Sequence, residues 1–276
     1  MSIWQLNMYG KTKLDVAIER IKSFKPKNGY YLAFSGGKDS VTIKALTNMA
    51  EVKYDAHYNI TGIDPPELVY FIREKYPEVE RNQHEKSFFQ LVVKKGIPPT
   101  RLARYCCECL KEHGGEGRFV ITGVRWAESG KRKKNRDMLE FDRYGSNSKK
   151  AKANREKFNL MNDNAEKRRM METCIIRGKH ILNPIIDWSD EEVWEFIHYF
   201  KIPYCNLYDE GFKRLGCIGC PNGGKKHMIK EFKRWPKFKE NYIRAFDRML
   251  VRRKEKGLKT DWKTGEEVMN WWINGQ

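Results

Sequence analysis

Two glycines set between an apolar run and an amphipathic helix constrain this chain more than any other feature. Tyr30 to Phe34 is a short aromatic and apolar strand candidate, Ser35-Gly36-Gly37-Lys38-Asp39-Ser40 interrupts it, and Val41 to Met49 resumes at helical spacing. Strand, glycine turn and helix in succession open a nucleotide-binding α/β unit. Glycine lets the backbone pass close under a phosphate, and the following helix offers unpaired N–H groups and the positive end of its dipole. Ser35 and Ser40 add hydroxyl donors and Lys38 adds charge. Asp39, out of place in a plain anion pocket, points to Mg²⁺ or to orientation of the loop. The spacing is not that of the G-x-x-x-x-G-K-[ST] loop, which clasps β- and γ-phosphates.

The rest of the chain extends this opening. Leu14, Ala17, Ile18 and Ile21 predict a leading helix over 12–24, and Tyr54 to Ile60 a second strand. Helical stretches over 67–75 and 86–95 are stopped by Pro77 and by Gly96-Ile97-Pro98-Pro99, and Arg118 to Thr122 is a third strand closed by Gly123. Cys174 to Ile176 and His180 to Leu182 read as a hairpin-like pair turning at Arg177-Gly178. Over 187–200, Ser189 and Glu192 form a capping box ahead of an apolar face of Val193, Phe196, Ile197 and Phe200. The C-terminal third reads as helical and basic, with Trp262, Trp271 and Trp272 packing the tail. The expectation is an α/β fold with a mostly parallel central sheet flanked by helices. Residues 1–200 form a nucleotide-binding domain with a basic insertion at about 131–169, and residues 201–276 a mostly helical region that completes a metal site.

Charge is concentrated in two places. Of 54 basic and 36 acidic residues, segment 131–180 carries a net +9 and segment 201–260 a net +11, leaving −2 for everything else. A field gathered in this way favours a polyanionic partner, tRNA or DNA, along 131–169 and 225–256. Lysine-rich solvated helix faces are the plainer reading. With 40% hydrophobic residues a core is available, and no run of 18 apolar residues suggests a transmembrane helix or any membrane partner. The first fifteen residues lack the apolar segment of a secretory signal. A cytoplasmic location is therefore expected, where seven cysteines serve as metal ligands or reactive thiols rather than disulfides.

Cys106-Cys107-Glu108-Cys109 precedes Cys217-Ile218-Gly219-Cys220 by about a hundred residues. The second pair is spaced so that both thiolates can face one metal. Adjacent cysteines are awkward around a tetrahedral Zn²⁺ and suit separate iron corners of a cubane. Zinc and unmetallated thiols remain the other two readings. Cys174 and Cys205 read as buried structural thiols, with a mobile role open for Cys205. His57 and His84 read as satisfied histidines more than as ligands, and Asp64, at a strand end, as a candidate for metal or ribose.

The Ser35–Ser40 loop resembles the signature of the PP-loop ATP pyrophosphatases, the adenine nucleotide α-hydrolase-like proteins. The resemblance implies a Rossmann-like fold and cleavage of ATP between its α- and β-phosphates to adenylate a substrate. The cysteine pattern is similar to that of assimilatory adenylylsulfate reductases within the phosphoadenylylsulfate (PAPS) reductase family, where it holds a [4Fe-4S] cluster and a basic residue follows much as Lys111 does here. That likeness implies Cys106, Cys107, Cys217 and Cys220 as ligands, with Cys109 an extra thiol able to replace Cys106 or Cys107. Ile121-Thr122-Gly123-Val124-Arg125 with Glu128-Ser129 resembles the family segment in which Gly123 ends a strand and Arg125 reaches the nucleotide; Arg132 is a second candidate for that anion clamp. Asn183 to Ser189 with Val193-Trp194 resembles a structural stretch of the same family. The likeness spans about residues 30 to 225, in order.

Two departures matter. Reductases of the family carry a mobile cysteine near the C-terminus, whereas none follows Cys220 here, and they lack the complete Ser-Gly-Gly-Lys-Asp-Ser loop kept by this chain. Both favour ATP cleavage to AMP and pyrophosphate, with adenylation of an acceptor and iron–sulfur-assisted sulfur transfer to nucleic acid. Lys38, Asp39 and Arg125 are the expected catalytic residues. Ser35, Gly36, Gly37, Ser40 and Gly123 join them around ATP and Mg²⁺, and a sulfur-donor protein is an expected partner. The alternatives are a phosphoadenylyl- or adenylylsulfate reductase using Cys109, Cys205 or another protein's thiol, a non-catalytic nucleotide- and nucleic-acid-binding subunit, and a sulfate adenylyltransferase-like subunit.

Overall fold

Side-chain chemistry decides where three of the helices begin. At Thr12, Ser87 and Ser189 the cap hydroxyl accepts the N–H three residues on, while Asp15, Gln90 and Glu192 reach back to the cap's own N–H. These reciprocal bonds satisfy donors that a helix start otherwise leaves open. The helices are α1 (Lys13–Ser23), α4 (Phe88–Lys95) and α7 (Asp190–Tyr199). The computed structural model that provides this description covers residues 2–111, 114–141 and 180–274.

Among the described residues six strands form one sheet: β1 (Tyr30–Ala33), β2 (Tyr54–Asn59), β3 (Glu80–Asn82), β4 (Phe119–Ile121), β5 (Leu139–Phe141) and β6 (His180–Leu182), in the order β3-β2-β1-β4-β6-β5. β1 runs parallel to β2 and β4, β4 runs parallel to β6, and β5 runs antiparallel to β6. The fold is thus the expected α/β arrangement with a mostly parallel sheet, and the glycine loop follows β1 at the sheet's centre. α2 (Lys38–Met49) begins directly after the diglycine, with Gly37 as its cap.

Two expectations need correction. β3 has no counterpart in the sequence reading, because three residues with a largely exposed pattern carry no alternation to detect. The block from 131 reads as an excursion, yet its start is regular: α6 (Gly130–Asn135) leads into β5. The reason is polar rather than apolar. Buried Asn183 donates its amide to the Asp137 carbonyl at 2.8 Å and to Glu140 at 2.6 Å, and Arg136 pairs with Glu140 at 2.6 Å. The remainder of that block, Cys174 to Ile176 and the Arg177-Gly178 turn lie outside the described residues. Among the described residues, β6 finds its antiparallel neighbour in β5, with Leu139 opposite Leu182.

The chain divides into two compact units, each assembled from three stretches. The first comprises Met1–Tyr58, Phe71–Glu80 and Gly114–Gly211; the second comprises Asn59–Tyr70, Arg81–His113 and Phe212–Gln276. In the first, Tyr31, Val120 and Ile181 of neighbouring strands share a buried face with Ala33 against them. Trp188 and Phe196 pack ring to ring at 5.7 Å, and Lys13 reaches the buried Glu192 at 2.8 Å. The second unit is built on α4, α8 (Lys225–Arg234), α9 (Pro236–Glu255) and α10 (Gly265–Asn274). Its centre is aromatic: Tyr242 lies 4.9 Å from Trp272 and 5.3 Å from Phe88, and Phe246 lies 5.5 Å from Trp272. Trp272 thus packs the tail as expected, its indole N–H donating to the Pro99 carbonyl at 2.6 Å, while Trp262 and Trp271 contact each other at 4.8 Å. Among the described residues no helix is long and apolar enough to cross a membrane.

Candidate functional site

At the diglycine loop, Gly36 takes a left-handed φ of +70° and Gly37 turns the chain into α2. Ser40 folds back, its hydroxyl donating to the Gly37 carbonyl at 2.9 Å and accepting from Ser35 at 3.3 Å. The first helical N–H, that of Lys38, donates to the phenol oxygen of Tyr208 at 2.8 Å. Gly123, after β4, has no room for a side chain: a Cβ there would come within 2.8 Å of the Asp39 backbone. That approach is what brings the β4 end against the start of α2.

Two cations and two carboxylates interlock beneath the loop. Arg125 is fully buried; its Nε meets Asp39 at 2.8 Å, one terminal nitrogen meets Asp190 at 2.5 Å, and the other donates to the Trp188 carbonyl at 3.1 Å. The Lys38 ammonium lies 3.1 Å from Asp190 and 3.4 Å from Asp39. Burial works against the charge of Arg125, but Asp39 and Asp190 outweigh it and raise its pKa. Burial likewise opposes the charge of Asp190, yet the Arg125 hydrogen bond and the Lys38 charge hold its carboxyl below the usual range. Arg125 therefore makes its contacts inside the protein and positions Asp39. Arg132 pairs with Glu128, whose carboxylate also accepts the Arg125 N–H at 3.0 Å.

In the second unit, α5 (Tyr105–Leu110) brings Cys106 and Cys107 to a cavity of about 360 Å³, counting its open mouth, that Cys217 and Cys220 also line. Its walls are apolar, among them Ile63, Phe88, Leu110, Tyr242 and Trp272. The Cys217–Cys220 turn is held from several sides. Ile218 N–H donates to the Ile63 carbonyl at 2.8 Å, Tyr242 donates to the Ile218 carbonyl at 2.7 Å, and Gly219 N–H donates to buried Glu231 at 2.7 Å. His227 braces that same carboxylate at 3.0 Å. Burial pushes the Cys217 thiol up to about 12, while a hydrogen bond from Cys106, aided by Arg104 and Lys111, pulls the Cys107 thiol down. Lys111 ends 4.0 Å from Asp64, whose carboxylate accepts from the Thr61 hydroxyl at 2.7 Å. Among the described residues no three His, Cys, Asp or Glu side chains close on a point that could hold a single ion as they stand.

The structure thus brings together Ser35, Gly36, Gly37, Lys38, Asp39, Ser40, Gly123 and Arg125 in one unit, and the four cysteines with Lys111 and Asp64 in the other. Cys109 is half-buried on α5, and Cys205 is wholly buried, out of reach for a mobile thiol. His57 stacks on Tyr31 at 4.2 Å and contacts Asp55 and Glu80, as a satisfied histidine would. Sequence reasoning missed Asp190, Tyr208 and Glu231. Asp190 was visible only as the residue after a helix cap, and Tyr208, 170 residues from Lys38, gave no signal at all.

A model of the phosphoadenosine phosphosulfate reductase domain matches residues 29–223. Two uncharacterised proteins of Methanocaldococcus jannaschii are similar over most of the chain. One is 25% identical over 249 residues, covering 86% of this chain and 53% of its own length. The other is 30% identical over 243 residues, covering 80% and 43%. The chain thus spans about half the length of these curated relatives. A stretch of 43 residues is 42% identical to adenosine 5'-phosphosulfate reductase of Allochromatium vinosum, covering 16% of this chain and 17% of that enzyme.

Proposed function

This chain belongs to the phosphoadenosine phosphosulfate reductase domain family, and from that premise we propose that it cleaves ATP to AMP and pyrophosphate, adenylating an acceptor for iron–sulfur-assisted sulfur transfer to nucleic acid. The observation that carries this reading is the ion network of Lys38, Asp39, Arg125 and Asp190 at the start of α2, in which both cations are buried. A glycine bend at a helix start, next to a lysine already held by carboxylates, is pre-organised for a leaving diphosphate. In this reading the glycine bend takes the β- and γ-phosphates, and the Ser35 and Ser40 hydroxyls turn from their contacts within the loop to donate to them. Lys38 offsets their charge, and Arg125 keeps Asp39 in place.

Asp39 and Asp190 suit Mg²⁺, which takes one or two carboxylates along with phosphate oxygens and water. The contacts of Asp190 to Arg125 and Lys38 run through Oδ1, and its side chain is 59% exposed. Bound there, the ion would supply charge neutralisation at the departing pyrophosphate. The cysteine cavity suits a [4Fe-4S] cluster. All four thiols line one apolar cavity in the second unit, and four cysteine thiolates are the ligand set that such clusters take. Cys106, Cys107, Cys217 and Cys220 would hold the cluster, which supplies iron able to bind sulfur or pass electrons. Exposed lysines and arginines on α8 and α9, among them Lys226, Lys233, Arg244 and Arg248, support a nucleic-acid acceptor.

The test is anaerobic turnover of α-labelled ATP with tRNA, DNA and small acceptors, reading both nucleotide products and sulfur incorporation. AMP and pyrophosphate are expected; ADP as the only product removes the reading. A second reading, reduction of adenylylsulfate, is favoured by the four-cysteine cavity together with the local likeness to the Allochromatium enzyme. It requires sulfite release from adenylylsulfate and loss of that release when Cys109 is replaced.

A further inference from the structure

Tyr208 lies in a 3-10 turn, Asn206–Tyr208, far from the loop in sequence. Its phenol oxygen accepts the Lys38 N–H at 2.8 Å, and a methyl group added at Gly37 would come within 3.4 Å of the same oxygen. The hydroxyl therefore rests directly on the diglycine bend. The ring is held edge-on by Trp194 at 5.0 Å, which also packs against Tyr204 at 5.1 Å, so the phenol cannot swing freely.

A tyrosine hydroxyl has lone pairs to accept and one proton to donate. The contact to Lys38 uses the oxygen as acceptor, which leaves the proton for another group. Burial, and then the charges of Asp39, Cys205 and Asp190, push this phenol well above its ordinary range, while the Lys38 N–H acts in the opposite sense. It is therefore a neutral donor at any physiological pH. A donor that is itself accepting a hydrogen bond is polarised and donates more strongly.

We infer that Tyr208 is an anion-binding residue of the loop, its hydroxyl carrying the Lys38 N–H one bond outward and donating its own proton to a phosphate oxygen of the pyrophosphate half of ATP. The inference deepens the proposed function and rests on its placement of pyrophosphate at this bend. It also accounts for an aromatic ring held against a loop that otherwise consists of glycine, serine and charged residues.

Calorimetric titration of the full chain with magnesium pyrophosphate and, separately, with AMP tests it. Tyr208→Phe keeps the ring and its packing on Trp194 and removes only the hydroxyl. Pyrophosphate should bind about tenfold more weakly or worse, a factor equal to about 1.4 kcal/mol, with AMP affinity unchanged. Tyr204→Phe, whose hydroxyl faces Asp209 at 3.2 Å, should match the wild type for both ligands. Pyrophosphate binding by Tyr208→Phe as tight as wild type, or tighter, overturns the inference. Equal losses for AMP and pyrophosphate also overturn it, since they mark a residue that only braces the loop. A wild-type chain that binds AMP but no pyrophosphate removes the loop reading and this inference with it.

Discussion

At the diglycine loop, charge is held by opposite charge: Arg125 and Lys38 stand between Asp39 and Asp190, and the backbone comes so close that Gly123 admits no side chain. At the cysteine cavity the walls are mostly hydrocarbon and aromatic, and burial more than any other cause lifts the Cys217 thiol above its ordinary value. The first region carries its full complement of ions before any ligand arrives. The second sets thiols in apolar surroundings, where burial raises Cys217 while Cys106, Arg104 and Lys111 lower Cys107. The difference teaches that the loop's geometry should depend on its ion partners, whereas the cavity's should depend on packing and on what the thiols bind.

The largest effect is expected where a thiol is removed. Cys217→Ser should lose nearly all of the roughly four irons that anaerobically prepared protein carries if it holds a cubane, while pyrophosphate binding at the loop stays within twofold. Colourless wild-type protein with one zinc would break the comparison on the cavity side. Next comes Arg125→Ala. Removing one partner of a buried ion network costs about 3–5 kcal/mol, so the melting temperature should fall by many degrees, with Arg125→Lys recovering part of it. A change of under 1 kcal/mol would mean that the loop does not rely on its ions.

Gly123→Ala sharpens the same point through sterics alone. Its methyl group would meet the Asp39 backbone at 2.8 Å, and overpacking of this kind costs about 1–3 kcal/mol. Weaker nucleotide binding should accompany the lower melting temperature, with iron content unchanged; retained binding would separate the β4 end from the loop. The smallest effect belongs to an exposed ion pair of the same unit. Asp55 is bound by Arg118 at 2.5 and 2.6 Å and is 42% exposed. The Arg118 hydrogen bonds hold its carboxyl below the ordinary value of 3.8. Its contribution is therefore complete above that pH and lost as pH falls through the lower, folded-state value. Asp55→Asn should cost under about 1 kcal/mol at pH 7, with wild-type and variant denaturation curves converging in acid. A gap that widens as pH falls would contradict the assignment.

Much of this molecule was legible without coordinates. The helix over 12–24, the strand before Ser35, the helix after the diglycine and the Ser189–Glu192 box all stand where periodicity and capping residues put them. The family likeness, too, was readable from the loop and the cysteine spacing. Less legible were β3, too short to show alternation, and β5, which sits in a basic stretch and is held by polar bonds through Asn183. Nor was it legible that Arg125 would meet Asp39, Asp190 and the Trp188 carbonyl, because a pattern of residue types does not reveal which carboxylates will surround a guanidinium.

What the sequence by itself determined is the set of local devices: the glycine bend, the caps and the two cysteine pairs, each confined to a few residues whose spacing is set by local backbone geometry. What only the tertiary structure decided is which distant groups meet. Arg125 finds Asp39 across 86 residues and Asp190 across 65, and Lys38 finds Tyr208 across 170. The order β3-β2-β1-β4-β6-β5 belongs to the same class. The physical reason is that such contacts are fixed by packing of the whole chain, where burial compels each polar group to find a partner without leaving a mark on its neighbours in sequence.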